Sequence, residues 1–280
     1  MSETAIDPGG EALAHKITRA KDGDRAALES VIRAVQPDVY QLALRFLWHP
    51  QDAEDATQEI LIRVITRLAS FRGESSFRTW VYRVACNALL TLRKQRMEHR
   101  AVSFEEFGED LAQGLSDEAL RVETDPDRSL LLEEVKIGCT TAMLLCLDRN
   151  HRMAYILGEI LELDHNEAAD VLEITPAAFR KRLSRARASV MSFMMSHCGL
   201  INTANACRCH WRVDQAVKLG RVDAENLLFA SSLEHARKFP EVLVQIRQLD
   251  ETRRAAALYR SHPGAEPSPS FTAWLRQAIA

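Results

Sequence analysis

The hydrophobic pattern is sharpest between Thr175 and Arg187, which read TPAAFRKRLSRAR. At about 100° per residue, Phe179, Leu183, Ala186 and Val190 fall on one narrow stripe. Ala177, Lys181, Ser184, Arg185 and Ala188 fall opposite, and Arg180, Arg182 and Arg187 flank the stripe. The spacing predicts an amphipathic helix with a buried seam and a basic outer face of small residues. Thr175 followed by Pro176 supplies an N-cap hydroxyl and then a proline at N1. A shorter helix is predicted just before it, over His165–Leu172, with Asp164 as its N-cap and Glu173-Ile174 as a tight turn. Two short helices joined by a brief turn, the second basic and opened by small residues, describe a helix-turn-helix. Small residues let a helix backbone approach base edges, while arginines reach phosphates.

A second helical pattern runs from Phe77 to Arg96, FRTWVYRVACNALLTLRKQR. Val81, Val84, Ala85, Ala88 and Leu92 make its apolar side, and Arg83, Asn87, Leu90 and Lys94 make the opposite stripe. Arg93 and Arg96 add charge at its end. Before it lies the Gly/Ser loop Phe71–Phe77, FRGESSF, between two aromatics. Before the loop, Asp52–Leu68 is predicted as a helix that is acidic in its first turn, as the dipole favours. Its polar residues Asp55, Gln58, Glu59 and Arg63 leave one face for a partner.

Composition sharpens this picture without redrawing it. The chain has 280 residues and a formal net charge of −3, a length that suggests two or three domains. Helical spacing dominates and strand-like alternation is scarce, so the expected class is all-α. The charge is segregated: residues 77–100 hold six basic groups and one acid, Glu98, whereas 105–127 hold nine acids and one basic residue, Arg121. Such blocks point to separate electrostatic tasks along one chain. Neither a secretory leader nor an apolar run of membrane-spanning length is present, which predicts a cytoplasmic protein that makes no membrane contact. The six cysteines then read as thiols or metal ligands rather than disulfides.

DAEDATQEILIRV, followed by FRGESSFRTWVYRVACNALLTLRKQR, resembles region 2 of the extracytoplasmic-function group of bacterial σ70-type sigma factors. LDRNHRMAYILGEILELDHNEAADVLEITPAAFRKRLSRARASV resembles region 4 of the same proteins. The resemblance implies two helical domains, region 2 over 25–98 and region 4 over 129–195. An N-terminal segment at 1–24 precedes them, an acidic linker at 99–128 joins them, and a small helical extension at 196–280 follows. It implies a non-enzymatic initiation subunit of RNA polymerase that needs no cofactor for that task. Asp52, Asp55, Gln58, Glu59 and Arg63 would face the β′ clamp helices, and the β flap would be a further polymerase contact. Phe71, Gly73, Glu74, Ser75 and Ser76 would capture an extruded base of the −10 element, with Arg83, Asn87, Arg93 and Lys94 on neighbouring bases and phosphates. Ala177, Ala178, Arg180, Lys181, Arg182, Ser184, Arg185 and Arg187 would meet the −35 element of promoter DNA. Many family members carry Gly-Thr where this chain has Ala177-Ala178, so a −35 contact is implied but not which bases are read. An anti-sigma factor stays open as a further partner. The nine acids of 105–127 fit a segment that mimics a nucleic-acid strand in the polymerase cleft, and equally fit plain disorder.

Beyond residue 195 the chain carries His197, Cys198, Cys207, Cys209 and His210 within fourteen residues. The spacing C-x8-C-x-C-H is not a common zinc-finger spacing. Three thiols and one imidazole, His197 or His210, nevertheless make a tetrahedral set for a zinc-like ion. A redox-sensing thiol cluster and an unligated loop are the alternatives. Cys86, Cys139 and Cys146 sit in apolar helical contexts and read as core. Residues 239–260 read as one long helix, His262–Ser270 as a linker and the last ten residues as a short helix; such a module suggests a built-in regulator. Two other functions compete with the sigma reading. A stand-alone helix-turn-helix regulator would not need the 52–96 segment. An enzyme built on the Cys/His cluster would want a recognisable catalytic motif, and none stands out.

Overall fold

The structure, a computed structural model, describes residues 8–92, 103–113, 126–264 and 267–279. Among them are thirteen α-helices and no strand. In chain order these are α1 (Pro8–Lys21), α2 (Arg25–Leu47), α3 (Pro50–Arg67), α4 (Phe77–Thr91), α5 (Phe104–Gln113), α6 (Pro126–Leu145) and α7 (Arg149–Tyr155). They continue with α8 (His165–Val171), α9 (Pro176–His197), α10 (Cys209–Lys218), α11 (Leu233–Gln248), α12 (Glu251–Arg260) and α13 (Pro269–Ile279). The chain divides into two compact units: Met1–Leu44 with His49–Leu92 and Glu266–Ala280, and Arg45–Trp48 with Arg93–Ala265.

In the first unit, α3 begins with Pro50 at its first turn, where a missing N–H costs nothing. It buries Ala53, Ala56, Thr57, Ile60, Leu61 and Val64, a 3–4 spacing that packs on α4. From α4 come Val81, Val84, Ala85, Ala88 and Leu89. The predicted Phe77–Arg96 helix is shorter than expected: Leu92 leaves helical geometry at φ −54°, ψ 143°. The C-terminal helix α13 belongs to this unit. The Ser268 hydroxyl accepts from the N–H of Phe271 at 3.2 Å, and its own N–H and hydroxyl donate to the Glu54 carboxylate of α3, at 2.5 and 3.0 Å. Phe271 is buried near Tyr40, their ring centroids 6.5 Å apart.

The second unit is built on α6, which carries a buried row of charged residues. Glu134 accepts the backbone N–H groups of Leu228, Phe229 and Ala230 at 2.9, 2.8 and 2.8 Å. Glu133 pairs with Lys136 and lies 3.0 Å from His235 Nδ1. Lys136 Nζ sits 3.2 Å from the centre of the Phe239 ring. Buried Arg152 donates to the carbonyls of Leu144 and Leu145 at the C-terminal end of α6, of Leu147 just beyond it, and of Phe46.

One expectation gains detail and another needs correction. Part of the acidic stretch expected as a linker, Phe104–Gln113, is helical, because Ser103 and Glu106 form a capping box. Ser103 Oγ accepts from Glu106 N–H at 3.2 Å, and Ser103 N–H donates to Glu106 Oε2 at 2.7 Å. Phe104 and Phe107 then pack on Phe193 of α9. Most of the remaining acidic stretch, 114–125, lies outside the described residues. The single helix expected over 239–260 is two helices, since Leu249 and Asp250 are extended and the Arg254 guanidinium donates to the carbonyl of Leu249 at 2.9 Å.

Candidate nucleic-acid interface

The helix pair α8–α9 forms as its caps dictate. Asp164 accepts from the Asn166 N–H at 2.8 Å and opens α8. Thr175 Oγ1 accepts from the Ala178 N–H at 3.2 Å, and Pro176 occupies the first turn of α9. The turn between them reverses at Glu173, whose φ of 53° is left-handed. Phe179, Leu183, Ala186 and Val190 are all buried. Gly158 lies against them: a Cβ there would meet Leu183 at 2.8 Å and Phe179 at 3.3 Å, so glycine permits the close approach of the α7 end to α9.

On the outer side, Ala177, Arg180, Lys181, Ser184 and Arg185 are exposed, and Ala178 and Arg182 half-exposed. Arg180, Lys181, Arg182 and Arg185 make no ion pair among the described residues, so this is a concentrated cationic surface on a rigid rod. Arg187 differs. Its Nε donates to Glu159 Oε1 at 3.0 Å, which neutralises its charge locally.

In the other unit, the 71–77 loop rests on an aromatic base. Phe71, Phe77 and Trp80 lie with ring centroids 5.2–5.7 Å apart. Gly73, at φ 77°, turns the chain. Glu74 is exposed and Ser75 half-exposed. Ser76 has a structural task that its sequence assignment omitted: its hydroxyl accepts from the Thr79 N–H at 3.0 Å and caps α4. Arg83 is half-exposed and Asn87 exposed on α4, while Arg93 and Lys94 lie outside the described residues.

On α3, Asp55 is exposed and Asp52, Gln58, Glu59 and Arg63 are half-exposed, with Glu59 and Arg63 paired. Ile62 is 48% exposed on the same helix. Sequence reading passed over it as one apolar residue among many; its offset of seven from Asp55, off the buried stripe, was the available signal.

The segment order matches known proteins. The model of sigma-70 region 2 matches residues 31–98, and that of sigma-70 region 4 matches residues 137–190. The RNA polymerase sigma-H factor of Pseudomonas aeruginosa is 30% identical over 179 residues, covering 62% of this chain and 89% of that protein. The ECF RNA polymerase sigma-E factor of Escherichia coli strain K12 is 28% identical over 180 residues, covering 62% and 90%. RNA polymerase sigma factor YlaC of Bacillus subtilis is 28% identical over 163 residues, covering 58% and 89%. The chain belongs to the sigma-70 family of RNA polymerase sigma factors, in its extracytoplasmic-function group. It is a transcription initiation subunit that directs RNA polymerase to promoters. No helix among the described residues is long and apolar enough to cross a membrane.

The cysteine loop and α10–α13 lie beyond both matches. Here the side chains of the expected metal set stand in different surroundings. The His197 ring packs on Phe193, centroids 4.6 Å apart, and lies against Gly108 of α5, where an added Cβ would come within 2.9 Å of it. His210 stacks edge-on with Trp211, and burial lowers its pKa. Neither imidazole lines the cavity that Cys198, Cys207 and Cys209 line; Cys139 of α6 does. Burial pushes the thiols of all four cysteines up from the usual range. No set of three or more His, Cys, Asp or Glu side chains among the described residues is arranged to hold a metal ion as the side chains stand.

Proposed function

We propose that promoter recognition is divided among three surfaces. The exposed side of α3, with Asp52, Asp55, Gln58, Glu59, Ile62 and Arg63, docks on the β′ clamp helices of core polymerase, and the β flap is a second polymerase contact. The loop Phe71–Ser76, with Arg83 and Asn87 of α4 and with Arg93 and Lys94 beyond it, holds the −10 element, an extruded base seated beside Gly73 and Glu74. Extrusion costs a few kcal/mol, which contacts in the loop must offset. The outer face of α9, with Ala177, Ala178, Arg180, Lys181, Arg182, Ser184 and Arg185, meets the −35 element. The observation that carries this reading is the α8–α9 pair: a helix capped by Thr175, seated by four buried side chains, that presents four cations on its open side. Protein side chains alone do this work in the cytoplasm, with no covalent chemistry. Residues 196–280 regulate access to these surfaces, in place of or beside a separate anti-sigma protein. The test is co-purification with core polymerase followed by run-off transcription on genomic fragments. Discrete starts that depend on both α9 and α4 side chains support the reading. Binding to DNA fragments with no polymerase-dependent starts would favour a stand-alone regulator.

A further inference from the structure

We propose that Cys139, Cys198, Cys207 and Cys209 form a site for one thiophilic d¹⁰ ion of the zinc type, which clamps the C-terminal extension onto α6. Three of these thiols come from the extension and its junction with α9. The fourth comes from α6, within the stretch matched to region 4.

Geometry brings them together. Cys198 ends α9, and Gly199 follows it. A Cβ on Gly199 would meet the Cys207 carbonyl at 2.0 Å and the Arg208 guanidinium at 2.1 Å, so only glycine lets the Cys207 backbone lie against the residue that follows Cys198. The intervening loop is tied shut. Asn205 Nδ2 donates to the carbonyls of Met195 and Cys198 at 3.0 and 3.2 Å, and Asn202 Nδ2 to that of Met195 at 2.8 Å. Arg247 and Arg254 hold the carbonyls of Gly199 and Ile201 from outside. Cys209 opens α10, which packs along α6 through Val135, Val213 and Val222 and so faces Cys139.

The four thiols line one small cavity of about 20 Å³. That is room for a single atom, since a cavity needs at least about 10–15 Å³ to hold one water. Tetrahedral sulfur ligation at about 2.3 Å suits zinc, and loading would draw the four sulfurs inward from the positions in which they now stand. Four thiolates around a divalent ion leave a net charge of −2, which is costly in an apolar pocket unless compensated. Lys136 and Arg212 line the same cavity, each already beside a carboxylate, Glu133 and Asp110 respectively, so they offset that charge only in part. Arg212 is anchored by donating to the Leu111 carbonyl at 2.8 Å. Loading breaks four S–H bonds, releases four protons to water and makes four Zn–S bonds, with no change of oxidation state.

The test uses the full chain, reduced, dialysed against zinc and then freed of excess ion. One zinc per chain is expected. With cobalt in place of zinc, the sulfur-to-cobalt charge-transfer band reports the number of thiolates. Cys139→Ser should lower its intensity by about a quarter and weaken zinc about tenfold or more, while Cys146→Ser, just past the end of that helix, should change neither. Cys139→Ala, with helicity checked by circular dichroism, repeats the measurement should serine disturb packing. Overturning results are no stoichiometric zinc in the wild-type chain, a Cys139 variant with undiminished band and affinity, or a disulfide joining two of the four cysteines in anaerobically purified protein. The readout is metal content and spectrum, so it stands apart from the outcome of any transcription assay.

Discussion

His262 is half-buried, with Nε2 3.1 Å from the Thr140 hydroxyl. Burial first, then the charges of Lys136, Arg45 and His235, holds its imidazole well below the ordinary 6.5. The folded chain therefore binds fewer protons than the unfolded chain once the pH drops below that value. The stabilisation is complete above about pH 6.5 and is lost as pH falls toward the folded-state pKa. We expect the urea midpoint of this unit to fall between about pH 7 and pH 5, and His262→Gln to flatten that slope. A slope unchanged by the substitution would take the imidazole out of the account. At α9 the ion pairs set a ranking. Arg185→Ala should reduce the log–log salt slope of promoter binding by about 0.9, one phosphate contact, whereas Arg187→Ala, already tied to Glu159, should reduce it by clearly less. Equal losses would mean that the Arg187–Glu159 pair opens on DNA. At this scale, legibility followed range. The caps Thr175 and Asp164 were readable because a cap acts on the next turn of its own helix. Cys139 was not, because a cysteine among apolar helix residues reads as core until the fold shows what it faces.

Among the elements, α3 yields the most direct measurement. Reversing the charge at Asp55 and Glu59 should weaken β′ capture in a pull-down, with helicity unchanged, because an exposed pair such as Glu59–Arg63 is worth little to the fold. Capture at the wild-type level would remove α3 from the polymerase contact. The α6 carboxylates make the opposite case. Glu134→Ala strips three backbone N–H groups of their acceptor and should cost roughly 2–4 kcal/mol, read by chemical denaturation. The helix periods of α3, α4 and α9 were readable because each has one wet and one dry face. The S-x-x-E box at Ser103–Glu106 was equally local, yet it is hidden inside an acidic run that reads as linker. The break at Leu249–Asp250 was not legible, because the apolar spacing continues across it while a tertiary arginine fixes the turn.

For the molecule as a whole, two sigma-70 segments account for residues 31–98 and 137–190; beyond them, α10–α12 are secured to α6 and α9 within one unit, and α13 packs on α2 and α3 within the other. Deleting residues 196–280 is expected to leave core polymerase capture intact and to change run-off yield at equal protein concentration. Equal yields from both chains would deny the extension a regulatory role. The charged row Glu133, Glu134 and Lys136 bears on how such regulation works. A joint made of oil can be opened only by exposing a sticky surface that aggregates or snaps shut. Here, uncovering this part of α6 hands two carboxylates and an ammonium back to water, which solvates them well. If the extension regulates in this way, lifting it would expose these charged groups together with the apolar Val135, and a modest free-energy difference, such as one bound ion, would choose between seated and lifted.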